Sequence, residues 1–410
     1  MIKKVYLLLL VACLSFSTIQ PVEATEKYTP KRDKQISKKS SKYWRNMADG
    51  MVESLIEKFW GASFPGHEKR YYFNYASNLS DMTTEHYWPQ AHAMDVIIDA
   101  YMRTKSKKYL TLYPLWWEGA PKFNFSGRKE DPWWNEYVDD MEWMVLTQIR
   151  MFESTSEQRY FEKAVQMYDQ WIWPTWGPFN EAPWYGGITW KTDVAKSKNA
   201  CSNGPAAIIA ARIYNFYEKA GIDKGRQRNE YLKEAILIYK WLRKNLYDSS
   251  SGAVADNMAK NGRVNRNWIF TYNQGTFLGA AHELYKITGE KSYLNDAVHA
   301  ANYVIERMST NRGVLSDATS GDGGLFHGIF FRYFIKLANE KTLDYNTRKK
   351  FHNYLTHLAT VMSENGINHS TMLYGGKWWE APKETQDVGL TPHVTGCMLM
   401  EAMCVLEQLK

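Results

Sequence analysis

Two carboxylates stand side by side at Asp139 and Asp140, inside the stretch Trp133-Trp134-Asn135-Glu136-Tyr137-Val138-Asp139-Asp140-Met141-Glu142-Trp143. Neighbouring carboxylates resist ionising together, so one pKa rises above the reference of about 4. A neutral acid beside an anionic base is the division of labour that acid–base chemistry uses. Hydrolysis of a glycosidic bond needs two carboxyl groups flanking that bond, and sugars dock on aromatic faces. Asp pairs are also common in the first turn of helices, where they meet the dipole. Here Trp143, Met144, Leu146 and Ile149 continue an amphipathic pattern around the acids. A buried acidic pair inside such a pattern is costly without a purpose, which favours chemistry over capping.

Other residues carry weaker signals. His86-Tyr87-Trp88-Pro89-Gln90-Ala91-His92 opens a helical pattern, with Trp88 as a candidate sugar platform and Gln90 as a hydroxyl partner. Its two histidines straddle a proline six apart, a poor match to metal-ligand spacing, and no metal site is expected. Gly186-Gly187-Ile188-Thr189-Trp190-Lys191-Thr192-Asp193 leads to Lys198-Asn199-Ala200-Cys201-Ser202-Asn203. The paired glycines permit close backbone approach. Asn135, Asn199 and Asn203 offer amides that match sugar hydroxyls, although Asn also favours caps and turns. Asp193, Tyr272, Gln274, His327, Arg332 and Trp378 complete the candidate binding set. Arg332 has an alternative as half of a buried ion pair. No Gly-rich phosphate loop, serine nucleophile elbow or Cys/His metal set occurs.

The elements that position these residues are helical. Apolar periodicity predicts helices near 43–60, 85–104, 107–117, 135–153, 157–173, 198–219, 227–246, 272–287, 291–308, 324–340, 344–363 and 391–408. A short repeat marks the starts of some of them: Tyr160-Phe161-x-x-Ala164, Tyr231-Leu232-x-x-Ala235 and Tyr293-Leu294-x-x-Ala297, with Tyr109-Leu110 as a degenerate copy. Recurring helical hairpins imply stacked or circularly closed pairs, and twelve helices in six pairs would close into an all-α (α/α)6 barrel. The repeat falls on alternate helices, and the chemistry-bearing segments fall before or on the others. That alternation predicts one shared cleft.

The chain has 410 residues and 44% apolar content, enough for a large core. Aromatics reach 15%, with 17 Trp and 27 Tyr, more than a core requires. The formal charge of +7 is concentrated early, in Lys27, Lys31, Arg32, Lys34, Lys38, Lys39 and Lys42. This reads as a solvated linker over 25–42 and not as a nucleic-acid site. Residues 1–24 read as an export signal, with Lys3 and Lys4 ahead of an apolar run and Val22-Glu23-Ala24 at the cleavage position. Cleavage after Ala24 is favoured over a lipoprotein reading in which Cys13 is lipidated. The expected domain is 43–410. Cys201, Cys397 and Cys404 fit neither a disulfide framework nor a metal spacing and read as buried small hydrophobes.

Taken in order, five motifs make the chain similar to glycoside hydrolase family 76, the endo-acting α-1,6-mannanases. They are Tyr137-Val138-Asp139-Asp140-x-x-Trp143, Gly186-Gly187-Ile188-x-Trp190, Lys198-Asn199-Ala200, Asn273-Gln274-Gly275-x-x-Leu278-Gly279-Ala280 and Phe326-His327-Gly328-Ile329-Phe330-x-Arg332. The segment from Tyr87 to Asp95 resembles members from gut Bacteroidetes. The resemblance implies an (α/α)6 barrel and cofactor- and metal-independent retaining hydrolysis. It makes Asp139 the nucleophile and Asp140 the general acid/base. It implies an exported monomer acting on α-mannan, in the periplasm or at the surface of a Gram-negative cell, with membrane association only through a lipidated Cys13. Exo-mannosidase or transglycosylase activity on the same barrel, and a non-catalytic glycan-binding protein, are the alternative readings. Met141-Glu142 departs from the family pattern and adds a third carboxylate.

Overall fold

The computed structural model describes residues 39–60, 71–76, 87–124, 126–128, 130–177, 185–192, 197–221, 226–407 and 409. The segment read as an export signal, Cys13, most of the segment read as a basic linker, His86 and Asp193 lie outside the described residues.

Six helices form a closed inner ring: α2 (Tyr87–Thr104), α5 (Val138–Thr155), α7 (Ala200–Ala220), α9 (Thr271–Thr288), α11 (Gly323–Ala338) and α13 (Leu390–Val405). Each packs on the next in that order, and α13 packs back on α2. The outer layer is α1 (Ser41–Phe59), the short pair α3 (Lys107–Leu110) and α4 (Leu112–Gly119), α6 (Gln158–Met167), α8 (Arg228–Asn245), α10 (Lys291–Tyr303) and α12 (Tyr345–Val361). This is the expected (α/α)6 barrel. The predicted helix 107–117 is broken at Thr111 into α3 and α4. The predicted helix from 198 starts two residues later, because Ser197–Asn199 (β1) pairs with Asn257–Ala259 (β2) as a small antiparallel ladder. A second hairpin joins Ile367–Asn368 (β3) to Leu373–Tyr374 (β4).

Burial explains the layering. The inner helices are apolar on nearly every side: α7 buries Ala206, Ala207, Ile208, Ile209, Ala210 and Ala211 in succession. A helix hydrophobic all round belongs inside. Close approach needs small residues, and a Cβ on Gly275 would lie 2.7 Å from the Phe330 backbone on α11. The outer helices are amphipathic, and the repeat motif supplies their buried face. Tyr160, Tyr231 and Tyr293 are all buried at the starts of α6, α8 and α10, with Ala164, Ala235 and Ala297 one turn on.

Because every inner helix is preceded by an outer one that runs the other way, the six inner helices run in the same direction. Their first turns share one end, the mouth. Their last turns share the other, and from the middle of the ring toward that end Arg103, Arg150, Arg212 and Arg332 meet Asp95, Asp99, Glu283 and Glu401. Arg103, in the last turn of α2, also complements the negative end of that helix dipole.

Candidate active site

Helix α5 starts where the chain turns in from an extended Tyr137, its N-cap. Val138 N donates to the Trp190 carbonyl at 2.9 Å, tying this start to the glycine-rich loop. That loop is shaped by Gly186 and Gly187, at φ +71° and +81°. A Cβ on Gly187 would sit 2.5 Å from the Trp241 ring. Only glycine fits there on both counts.

Asp139 and Asp140 therefore occupy the first turn of α5, at the mouth, near its positive dipole end. Neighbouring inner helices contribute one donor to each. Trp88 N, in the first turn of α2, donates to Asp140 Oδ1 at 3.1 Å. The Cys201 thiol, in the first turn of α7, donates to Asp139 Oδ2 at 3.2 Å. The Trp190 side chain lies beside Asp139 as well and favours its charged form. Asp322, at the N-cap of α11, accepts from Trp88 Nε1 at 3.1 Å and brings a third acid to the pair. On the Asp139 side, the Tyr272 hydroxyl donates to Asp256 Oδ1 at 3.1 Å, and its ring stacks on Phe326 at 4.0 Å and 9°.

The two carboxyls differ in environment. Burial pushes Asp139 up to about 6, and the donors from Cys201, its own backbone and Trp190 hold it from going further. Burial pushes Asp140 well above the usual carboxylate range, and the charges of Asp139 and Asp322 push the same way. The first proton of the pair leaves Asp139. Asp140 is the group that stays protonated, as an acid should. One turn deeper, Glu142 is wholly buried, and neither of its oxygens has a hydrogen-bond partner among the described residues. Burial, and then Asp139, hold that carboxyl far above its ordinary range.

A family model described as glycosyl hydrolase family 76 matches residues 41–409. The chain belongs to glycosyl hydrolase family 76. It is a glycoside hydrolase by that membership. Among solved structures it is similar to an α-1,6-mannanase from Salegentibacter sp. HEL1_6, at 35% identity and TM-score 0.77, covering 89% of this chain and 100% of that one. An inactive variant of that mannanase, with two neighbouring aspartates replaced by asparagine, is a complex with α-1,6-mannotriose (34% identity, TM-score 0.77, 89% and 100% covered). A Listeria innocua protein matches at 27% identity and TM-score 0.74, over 88% of this chain and 96% of that one. A family 76 mannosidase from Bacteroides thetaiotaomicron, at 20% identity and TM-score 0.70 over 89% and 98%, shares the fold. A search of curated proteins found no match.

Within this family 76 barrel, the mouth gathers Asp139, Asp140, Trp88 and Tyr272 from the sequence-derived set. Several other candidates hold the scaffold instead. Gln90 spends both ends of its amide on the Tyr72 backbone, at 2.8 and 2.7 Å. Asn135 bonds Asn124 and the Tyr137 N–H, and Asn203 bonds both backbone groups of Ile188 and the Asn199 carbonyl. Asn199 is the N-cap of α7, and its Oδ1 accepts from Ser197. Gln274 ties the Gly252 carbonyl to the Val254 N–H. His327 bridges Thr271 and the Ser316 carbonyl, with burial lowering it to about 4. Trp378 is buried, with its indole N–H on the Ser316 carbonyl, and it is Trp379 that is exposed. Arg332 lies past the middle of α11, away from the mouth, paired with Asp95 and Asp99, as its alternative reading had it.

Four site residues escaped the sequence reading. Cys201 is not merely a small hydrophobe: it donates to Asp139. Asp256 anchors Tyr272 and Asn273. Asp322 had a signal, an Asp among glycines (Ser320-Gly321-Asp322-Gly323-Gly324) just before an apolar run. Phe326 stacks beside Tyr272, a contact that no spacing within the chain foretells.

Proposed function

We propose that this glycoside hydrolase cleaves α-1,6-mannosidic linkages within a mannan backbone by double displacement. Asp139 attacks the anomeric carbon and forms a mannosyl-enzyme, while Asp140 protonates the departing oxygen. Asp140 then takes a proton from water, which attacks the same carbon and releases Asp139. The observation that carries the reading is the adjacent pair at the mouth, one carboxyl held lower by donors and the other held higher by its acidic neighbours. The inactive neighbouring-aspartate variant of the Salegentibacter mannanase, bound to α-1,6-mannotriose, supports it. An export signal over residues 1–24 suits an enzyme whose polymer lies outside the cytoplasm.

The test is thin-layer analysis of products from unbranched α-1,6-mannan, with NMR of the anomer first released. A ladder of oligosaccharides with retained configuration is expected from wild type, and Asp139→Asn or Asp140→Asn should each abolish it. A single mannose product would point to exo action. Full activity in either variant would show that the pair is misassigned.

A further inference from the structure

Five aromatic side chains are exposed among the described residues: Tyr75, Tyr185, Trp268, Tyr345 and Trp379. All but Tyr345 belong to segments that precede inner helices, at the mouth. Trp268 differs from the others in being continuous with the catalytic pair. Its ring is 6.3 Å from Phe270, which lies 5.4 Å from Phe326 and 6.1 Å from Tyr272. Tyr272 stacks on Phe326, and its hydroxyl lies beside Cys201, whose thiol reaches Asp139. The rings thus descend from solvent to the carboxyl proposed as nucleophile.

The backbone that carries the outermost ring is tied down before any ligand arrives. Trp268 O accepts from Asp256 N at 2.8 Å, and Trp268 N donates to Asn265 O at 3.1 Å. Arg266 clamps the same loop to the end of α8, donating to the Leu246 and Asn245 carbonyls at 2.9 Å each. A platform held this way loses little freedom on binding. Yet Trp268 leaves 49% of its surface in water, a large apolar face on a rigid loop.

We infer that Trp268, Phe270, Phe326 and Tyr272 form a track that seats further mannosyl units of the chain on the glycone side of the scissile bond. The side follows from the carboxyls. The nucleophile lies beneath the sugar that keeps the anomeric carbon, and the acid lies toward the leaving group. The track begins at Asp139, whereas Trp88 donates its backbone N–H to Asp140. This assignment rests on the activity and on the roles given above.

The experiment compares linear α-1,6-linked tetra- and hexamannosides carrying a reducing-end fluorophore. The enzymes are wild type, Trp268→Ala, Trp268→Phe and, as a control at the other end of the barrel, Tyr345→Ala. The ratio of kcat/KM for hexamer over tetramer should fall about fivefold to tenfold in Trp268→Ala, the loss of one aromatic stack. Trp268→Phe should recover most of it, and Tyr345→Ala should match wild type. With glycone binding weakened, the cut in the hexamer should move toward the non-reducing end. An unchanged ratio, an equal loss on both substrates, or a cut moving toward the reducing end would each overturn the track while leaving the activity intact. A wild type that cleaves neither substrate would overturn the activity and the track with it.

Discussion

Glu142→Gln isolates the energetic consequence of a carboxyl buried without a partner. Glu142 is inaccessible to solvent, and no cation or donor among the described residues meets its oxygens. Its folded pKa is raised well above 4.5, first by burial and then by Asp139. The unfolded chain ionises this group near 4.5 and the folded chain does not. Below 4.5 both states are protonated and the group has no pH-dependent effect. Above it, each pH unit favours the unfolded state by about 1.4 kcal/mol until the folded carboxyl also ionises. Glutamine keeps the shape and remains neutral throughout. The variant should match wild type at pH 4 to within about 1 kcal/mol, since either side chain buries an unsatisfied polar group. Between pH 5 and pH 7 its advantage should grow by up to about 2.7 kcal/mol. Urea unfolding followed by tryptophan fluorescence and far-ultraviolet circular dichroism measures this, with coincident transitions as the check on two-state behaviour. A difference that does not change with pH would mean that Glu142 is ionised in the native protein, which would refute the burial argument.

Three further outcomes are expected. Cys201→Ala removes a donor to the charged form of Asp139, so the acid limb of kcat/KM against pH should move up by roughly half to one unit, while Cys201→Ser, which keeps a donor, should leave it nearly in place. Asp322→Asn removes a charge that holds Asp140 protonated, so the alkaline limb should shift to lower pH; an unmoved limb would separate Asp322 from the pair. Arg332→Leu leaves part of the Asp95 and Asp99 charge uncompensated and should lower stability by about 3 kcal/mol in denaturant, with KM for mannan unchanged. A raised KM would restore Arg332 to the binding surface.

Helical periodicity and the Tyr-x-x-x-Ala repeat exposed the ring and its alternation of inner and outer helices, because burial imposes both patterns locally. The site was legible where a residue's position along its helix mattered. Asp139 and Trp88 are in first turns and face the mouth. Arg332 is ten positions into α11, at 1.5 Å per residue about 13 Å below it, which places it past the middle of the barrel and away from the mouth. The amides were misread for a different reason. Gln90, Asn135, Asn203 and Gln274 carry donors and acceptors that suit a sugar hydroxyl and a backbone group equally well. The described mouth loops have only short ladders and isolated bridges to satisfy their own N–H and C=O groups, so the amides are consumed in tying them. Which rings meet, as Tyr272 meets Phe326, depends on the lateral spacing of α9 and α11, and no motif within one strand of sequence encodes that.

The arginine–carboxylate layer beneath the barrel has an implication for engineering. The ion pairs and the carboxyl pair are separated along the helices by about ten residues or more, roughly 13 Å at 1.5 Å per residue. Where heat tolerance and reaction share the same residues, improving one commonly harms the other. Here the floor can be hardened, by replacing its charged residues with matched apolar sets or by adding crosslinks between helix tails, without touching the loops that choose and cut the substrate.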